Sequence, residues 1–352
     1  MLIMYNEKMI KTFLIIAFLL LPVIAFGAEL SEYNLDVSFD IKNAKITGIA
    51  RIDARSNDLT VHTGNLRILG VFVDKKSVPH EIMSGVLRIA GIDKRIVEIR
   101  YEGFFNDSNN VIGEKGISLT DAWYPQIEGL SRYKLRAVLP EGYEAVSEAE
   151  NIIKTAKNGD AEFIFEFPHP VYGINFIATN RYKITKVAYN DIELFAYFFS
   201  EDQKIAKLYL DYTKKYLAMY EKLLGKFPYK RFSIVENFLP TGLSMPTYTL
   251  LGQDVIRLPF IVETSLGHEI LHQWFGNLVY ADFEKGNWTE GITAYLADHF
   301  YEEQKGKGWE YRKQALIDYA GYVNKKNEFP LRTFMGRVDS SSKAIGYGKA
   351  AL

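Results

Sequence analysis

The sequence predicts an α+β protein of more than one domain, a β-rich half followed by a half that mixes helices with a little sheet. Three observations predict it. The chain has 352 residues, 48% of them hydrophobic, which allows sizeable cores and is too apolar for a disordered chain. Between residues 30 and 190, apolar and polar residues alternate in short runs separated by turn residues. From Asp202 onward the apolar residues recur at helical spacing.

At the N-terminus, Lys8 and Lys11 precede an apolar run from Thr12 to Phe26, followed by Gly27-Ala28-Glu29. A basic start, a short apolar stretch and small residues at its end predict a signal peptide over residues 1–28 and an exported, periplasmic or extracellular protein. A short membrane anchor is the alternative, and with it membrane association. Met9 offers a second start for the same signal.

Strands are expected wherever alternation is clear. Leu35, Val37, Phe39 and Ile41 mark the first, and Ile46, Ile49 and Ile52 a less regular second. Further strands are expected near 66–73, 86–89, 96–101, 133–139, 152–155 and 161–167, with turns such as Pro140-Glu141-Gly142 between them. This spacing predicts an antiparallel sandwich or saddle over residues 29–195. His62, His80 and His169 stand singly and read as surface or turn residues; Trp123-Tyr124-Pro125 reads as core packing.

Residues 196–352 form the second expected domain. Ile205, Leu208, Tyr209, Tyr212, Tyr216, Met219, Tyr220 and Leu223 predict a helix ending at Gly225. Strands are expected near 232–235 and 248–251, and helices over 263–275, 289–304 and 310–322, with Thr289 as an N-cap.

Charge and composition narrow the function. Lys and Arg number 42 against 43 Asp and Glu, and no basic run exists, so nucleic acid is not an expected partner. There is no cysteine, which excludes disulfides, thiol nucleophiles and Cys-based zinc sites. Only six histidines occur, and two of them stand four apart in His268-Glu269-Ile270-Leu271-His272. On a helix they share one face, so both imidazoles can point at one Zn2+ per chain. Glu269, about 100° round, can take a proton from water there. A catalytic site needs a third protein ligand, and Glu290 at the head of the next helix is the candidate. His299 is nine residues past Glu290 and reads as a surface or supporting residue.

His268–Asn277 (HEILHQWFGN) and Trp288–Gly291 (WTEG) resemble the zinc aminopeptidases of the membrane alanyl aminopeptidase and leukotriene A4 hydrolase type, which are gluzincins. Leu224–Tyr229 (LGKFPY) and Asp121–Tyr133 (DAWYPQIEGLSRY) extend the resemblance over roughly residues 30 to 352. It implies a thermolysin-like catalytic domain after the N-terminal β domain, zinc bound by His268, His272 and Glu290, and Glu269 as general base. It implies that Tyr347, in AIGYGKAAL, donates a hydrogen bond to the oxyanion. It implies a peptide or small amide substrate, lying along Gly242, Leu243 and Met245.

Three departures from the family qualify these expectations. Seventeen residues, Gln273 to Thr289, separate the second His from Glu290, one fewer than is usual. With Met245 aligned to the Met of the family's Gly-x-Met-Glu-Asn motif, Pro246 and Thr247 replace the amine-binding Glu and its Asn. Glu236 lies just upstream as a substitute, though it reads as a sheet-edge surface residue. The chain also stops at Leu352 inside an expected helix, so the catalytic domain is expected to be incomplete. The expectation is thus an aminopeptidase-like zinc metallopeptidase. A zinc endopeptidase or other zinc hydrolase is the alternative within that chemistry, and a non-catalytic zinc-containing binding or scaffold protein the alternative outside it.

Overall fold

One face of the strand Ser31–Asp40 is buried at Tyr33, Leu35 and Val37, as its alternation requires. Its neighbour Lys45–Asp53 turns Ile46, Gly48, Ala50 and Ile52 inward, and Ile49 faces the other side. Gly48 takes an inward position because the Tyr101 ring crosses it; a Cβ there would lie 2.3 Å from Tyr101 Cζ. The alternation is therefore regular, with its second inward member a glycine.

The computed structural model describes residues 30–93 and 95–352, and the expected signal or anchor segment 1–28 lies outside them. Among the described residues no helix is long and apolar enough to cross a membrane. Eight strands form the largest sheet, in the order Asn151–Lys157, Asp160–Val171, Ser131–Pro140, Ser31–Asp40, Lys45–Asp53, Ile96–Phe104, Arg67–Val73 and Lys76–Ser77. The pairing is antiparallel except between Ser31–Asp40 and Ser131–Pro140, which run parallel. Smaller antiparallel sheets of four and three strands accompany it. Trp123 and Tyr124 are fully buried, as expected of core residues.

Shortly before the helices begin, the sheet changes. Tyr182–Tyr189, Ile192–Phe199, Arg231–Asn237, Tyr248–Gly252 and Gly242–Met245 form a five-stranded sheet in that order. Its three central strands are parallel and Gly242–Met245 is an antiparallel edge. Position 195 lies inside Ile192–Phe199, which pairs on both sides, so the change of sequence texture there does not coincide with a break between elements.

Helix α1 (Ala206–Leu224) crosses this sheet. Its buried face is Tyr209, Leu210, Thr213, Tyr216, Leu217 and Tyr220, while Leu208 and Leu223, expected inside, are exposed. The tyrosines win the inward face because each phenol has a carbonyl to reach. Tyr209 donates to Ile256 O, Tyr216 to Val262 O and Tyr220 to Gly267 O. Those carbonyls belong to the segment that leads into helix α2 (Ser265–Leu271), so the core of α1 positions α2. Gly267 permits the close approach: a Cβ would lie 2.1 Å from Tyr301 Oη and 2.6 Å from Tyr216 Cε1.

Helix α3 spans 289–304 as Thr289–Thr293, a π turn Ala294–His299, and Phe300–Gln304. Trp288, not Thr289, stands at the N-cap and offers no side-chain capping bond; Asn287 just before it accepts from Thr289 N–H and its hydroxyl. Helix α4 is Gly308–Tyr322. Helix α5 begins at Ser340–Lys343 with an Asp339 capping box and continues through a second π turn, Ala344–Gly348.

Candidate metal centre

Helix α2 is shorter than expected. It stops at Leu271, and the chain turns at Gly276, whose φ of 114° suits only glycine. His268 sits in the last turn of α2 and His272 at its C-cap, their ring centroids 5.0 Å apart. The Nε2 atoms of both rings lie 3.4 Å from the same Glu290 oxygen, Oε2, brought in by the first turn of α3. Ligand atoms of the three residues lie within 4.8 Å of one another.

The second nitrogen of each ring is engaged. His272 Nδ1–H donates to Phe275 O at 3.0 Å, and a carbonyl can only accept. His268 Nδ1–H donates to the Asp298 carboxylate at 3.2 Å. These bonds leave the Nε2 lone pairs of both rings directed at Glu290, the state in which imidazole ligates a metal. Two neutral imidazoles and a carboxylate are a donor set suited to zinc. The carboxylates favour positive charge at this point. Burial opposes charge on His268, but Asp298 and Glu290 push it up to about 10. Burial would raise Glu290, yet the two imidazoles hold it well below the usual carboxylate range. The residues fit a bound cation.

Asp298 was not foreseen, although it shares a helix with Glu290. Eight residues at about 100° each would place it about 80° round from Glu290. The π turn absorbs one residue and returns Asp298 to the face of Glu290. The second π turn carries Tyr347, whose ring stacks at 6.2 Å from His268. Burial and the adjacent Glu290 carboxylate both raise the Tyr347 phenol, so it stays a donor. Glu269 lines the same cleft, and burial raises its carboxyl against the pull of His272 and His268.

The edge strand Gly242–Met245 forms one wall. Gly242, Leu243 and Ser244 line the cleft. Met245, expected there, packs instead against the buried cluster of Val146, Ile177 and Tyr248. Ser244 is the residue missed. It donates to Glu269 O and accepts from Gln273 and Asn277, tying the strand to α2. Pro246 and Thr247 form the hairpin turn, and Thr247 N–H donates to Gln273 Oε1. None of the three wall residues carries a carboxylate.

Glu236 does not fill that gap. It is fully buried, not a surface residue; its Oε2 accepts from Phe199 N–H. Its Oε1 has no donor and lies beside Asp202, itself held bidentately by Arg257. His299 is also buried, stacked on Tyr295 and bonded to Arg312, and does not line the cleft.

No family model matches the chain. It is 21% identical over 316 residues to Probable aminopeptidase 2 of Sulfurisphaera tokodaii, covering 80% of this chain and 40% of that protein. Over 176 residues it is 26% identical to mouse aminopeptidase B, covering 46% and 25%. The chain thus spans 40% or less of the length of these relatives. An M1 zinc metallopeptidase from Deinococcus radiodurans superposes with a TM-score of 0.72 at 16% identity, covering 92% of this chain and 81% of that one. A mutant of that enzyme bound to a Tyr-Ser-Ala substrate gives 0.66 at 15% identity, covering 92% and 82%. The chain is similar in sequence to aminopeptidases and in fold to an M1 zinc metallopeptidase.

Proposed function

We propose that this chain is a zinc-dependent metallopeptidase of the aminopeptidase type, hydrolysing peptides or small amides. The observation that carries the reading is the convergence of His268 Nε2 and His272 Nε2 on one Glu290 oxygen, with Glu269 in the same cleft. His268, His272 and Glu290 would hold one Zn2+, which supplies Lewis acidity toward a carbonyl and acidifies water. Glu269 takes the proton of the attacking water and returns it to the leaving amine. Tyr347 donates its phenolic hydrogen to the oxygen on which charge develops. Asp298 and Phe275 O keep both imidazoles in the ligating tautomer.

The finer division proposed is an N-terminal β domain followed by a thermolysin-like catalytic domain, supported by the change from the eight-stranded to the five-stranded sheet. Export is proposed from the basic and apolar character of residues 1–28. A second reading within the same chemistry, a peptidase or other zinc hydrolase that needs no free amine, is favoured by the lack of a carboxylate on Gly242, Leu243 and Ser244. The test is hydrolysis of free-amine aminoacyl reporters and of N-blocked peptides by the zinc-loaded protein. Cleavage of the first set alone supports the aminopeptidase, and cleavage of blocked peptides supports the second reading. Cleavage of neither by zinc-loaded protein contradicts both.

A further inference from the structure

The cleft at the metal centre, about 630 Å³, continues past Tyr347 into a second cavity of about 500 Å³. Thr264, Asp298, Arg337, Lys343 and Tyr347 line both, so the two form one groove. An inventory of its charges is uneven. Glu290 faces both histidines, and Asp298 accepts from His268. Farther along, Glu263 accepts from Tyr212, Glu302 from Lys305 and Asp318 from Gln314. Glu269 remains, and the reaction uses it. At the metal centre the carboxylates are Glu269, Glu290 and Asp298, each engaged by the histidines or the reaction, while Glu263 and Asp318 in the second cavity are met only by neutral donors and keep their charge.

The cations are placed the other way. Lys305 is paired with Glu302, whereas Arg337 and Lys343 make no ion pair or side-chain hydrogen bond with any described residue. Asp339, two residues from Arg337, is the obvious partner in sequence. It is engaged in capping α5, accepting from Ser342 N–H and Ser341 Oγ. The same cap fixes the loop, since Val338 N–H and Asp339 N–H both donate to Ser342 Oγ. Arg337 also lies near enough to Tyr347 for its charge to act on the phenol. Two cations on an anchored segment line the cleft of the reaction centre, neither ion-paired with a described residue.

We propose that the groove recognises its substrate through a carboxylate, held by Arg337 and Lys343. The planar guanidinium offers a two-bond match to a carboxylate, and the ammonium adds a point charge beside it. That carboxylate is either an acidic side chain or a free C-terminus of the substrate. The inference rests on the peptidase reading for its setting and is tested by binding, independently of turnover.

The experiment uses the full-length zinc-loaded protein carrying Glu269→Gln, titrated calorimetrically with two pairs of N-acetylated tripeptides. Acetyl-Ala-Ala-Ala with a free C-terminus is compared with its amide, and acetyl-Ala-Asp-Ala amide with its Asn counterpart. At least one carboxylate-bearing member should bind about 10-fold or more tightly than its neutral partner. Which pair discriminates identifies the source of the carboxylate. Adding Arg337→Gln and Lys343→Gln should abolish the preference; both side chains are exposed, so the fold is spared. Equal binding within both pairs, no binding of any peptide, or a preference that survives the double substitution overturns the proposal. Hydrolysis of the same peptides by the unsubstituted protein is scored separately. Hydrolysis of their free-amine counterparts is scored beside them: discrimination with hydrolysis of neither the blocked nor the free-amine set removes the peptidase reading, and hydrolysis without discrimination removes only the carboxylate site.

Discussion

The two walls of the cleft are built on opposite terms. The inner wall, α2 backed by α1, is packed so closely that three tyrosine phenols end on backbone carbonyls and Gly267 has no room for a methyl group. The outer wall, from Met335 to Tyr347, is packed where Ala344 and Ile345 are buried in α5, but its approach, Met335 to Asp339, carries exposed Met335 and Val338, and the wall bears two unpaired cations. The difference separates two jobs. The inner wall fixes where the histidines are, because the core decides it. The outer wall decides what is brought to them, because its side chains are not used elsewhere.

Tyr347 stands on the outer wall but acts on the reaction, so its removal should have the largest effect of the substitutions that break this contrast. Tyr347→Phe should lower kcat by about 10²- to 10³-fold while the zinc content holds, as measured by steady-state kinetics and metal analysis. Asp298→Asn attacks the support of the inner wall instead. Competition with a chelator should show zinc affinity reduced about 10- to 100-fold. The same glycine substitution should then separate the walls by stability. Gly267→Ala, driven against Tyr301 and Tyr216, should cost about 1–3 kcal/mol in denaturant unfolding. Gly336→Ala, with nothing within 4 Å of the added carbon, should stay within about 0.5 kcal/mol.

A pH-dependent effect concerns the sheet behind the inner wall. Burial, with the neighbouring Asp202, pushes the Glu236 carboxyl up to about 8. A carboxyl whose pKa is higher folded than unfolded contributes stability below its unfolded value, near 4.5, and loses it as pH rises through about 8. Glu236→Gln keeps the bond from Phe199 and can donate to Asp202 at any pH. The unsubstituted protein should therefore lose roughly 1 kcal/mol or more relative to this variant between about pH 5 and pH 9. Parallel unfolding curves for the two proteins over that range would count against a buried proton on Glu236.

What could be read in advance follows the same division. The spacing of His268 and His272 and the start of α3 at Glu290 are regular helical signals, and the structure joins all three. Asp298 escaped because a π turn breaks the helical period between it and Glu290. Met245 misled because at the hairpin turn it packs against Val146, Ile177 and Tyr248, and Ser244 escaped because its bonds to Glu269 O, Gln273 and Asn277 are tertiary and have no sequence signal. Leu208 and Leu223 misled because hydrophobicity outranks tyrosine on any scale, while the carbonyls waiting for phenols are invisible in sequence. Arg337 lies in an irregular segment with no period to read; only the engagement of Asp339 elsewhere shows that it is unpaired.

The central claim is that His268, His272 and Glu290 hold zinc beside a working base. The most direct test measures zinc content and peptide or aminoacyl hydrolysis on the purified protein and on Glu269→Gln together. The account predicts one zinc per chain in both, with hydrolysis in the first reduced about 10²- to 10⁴-fold in the second. Protein that folds but binds no zinc, or hydrolysis that Glu269→Gln leaves unchanged, would contradict it.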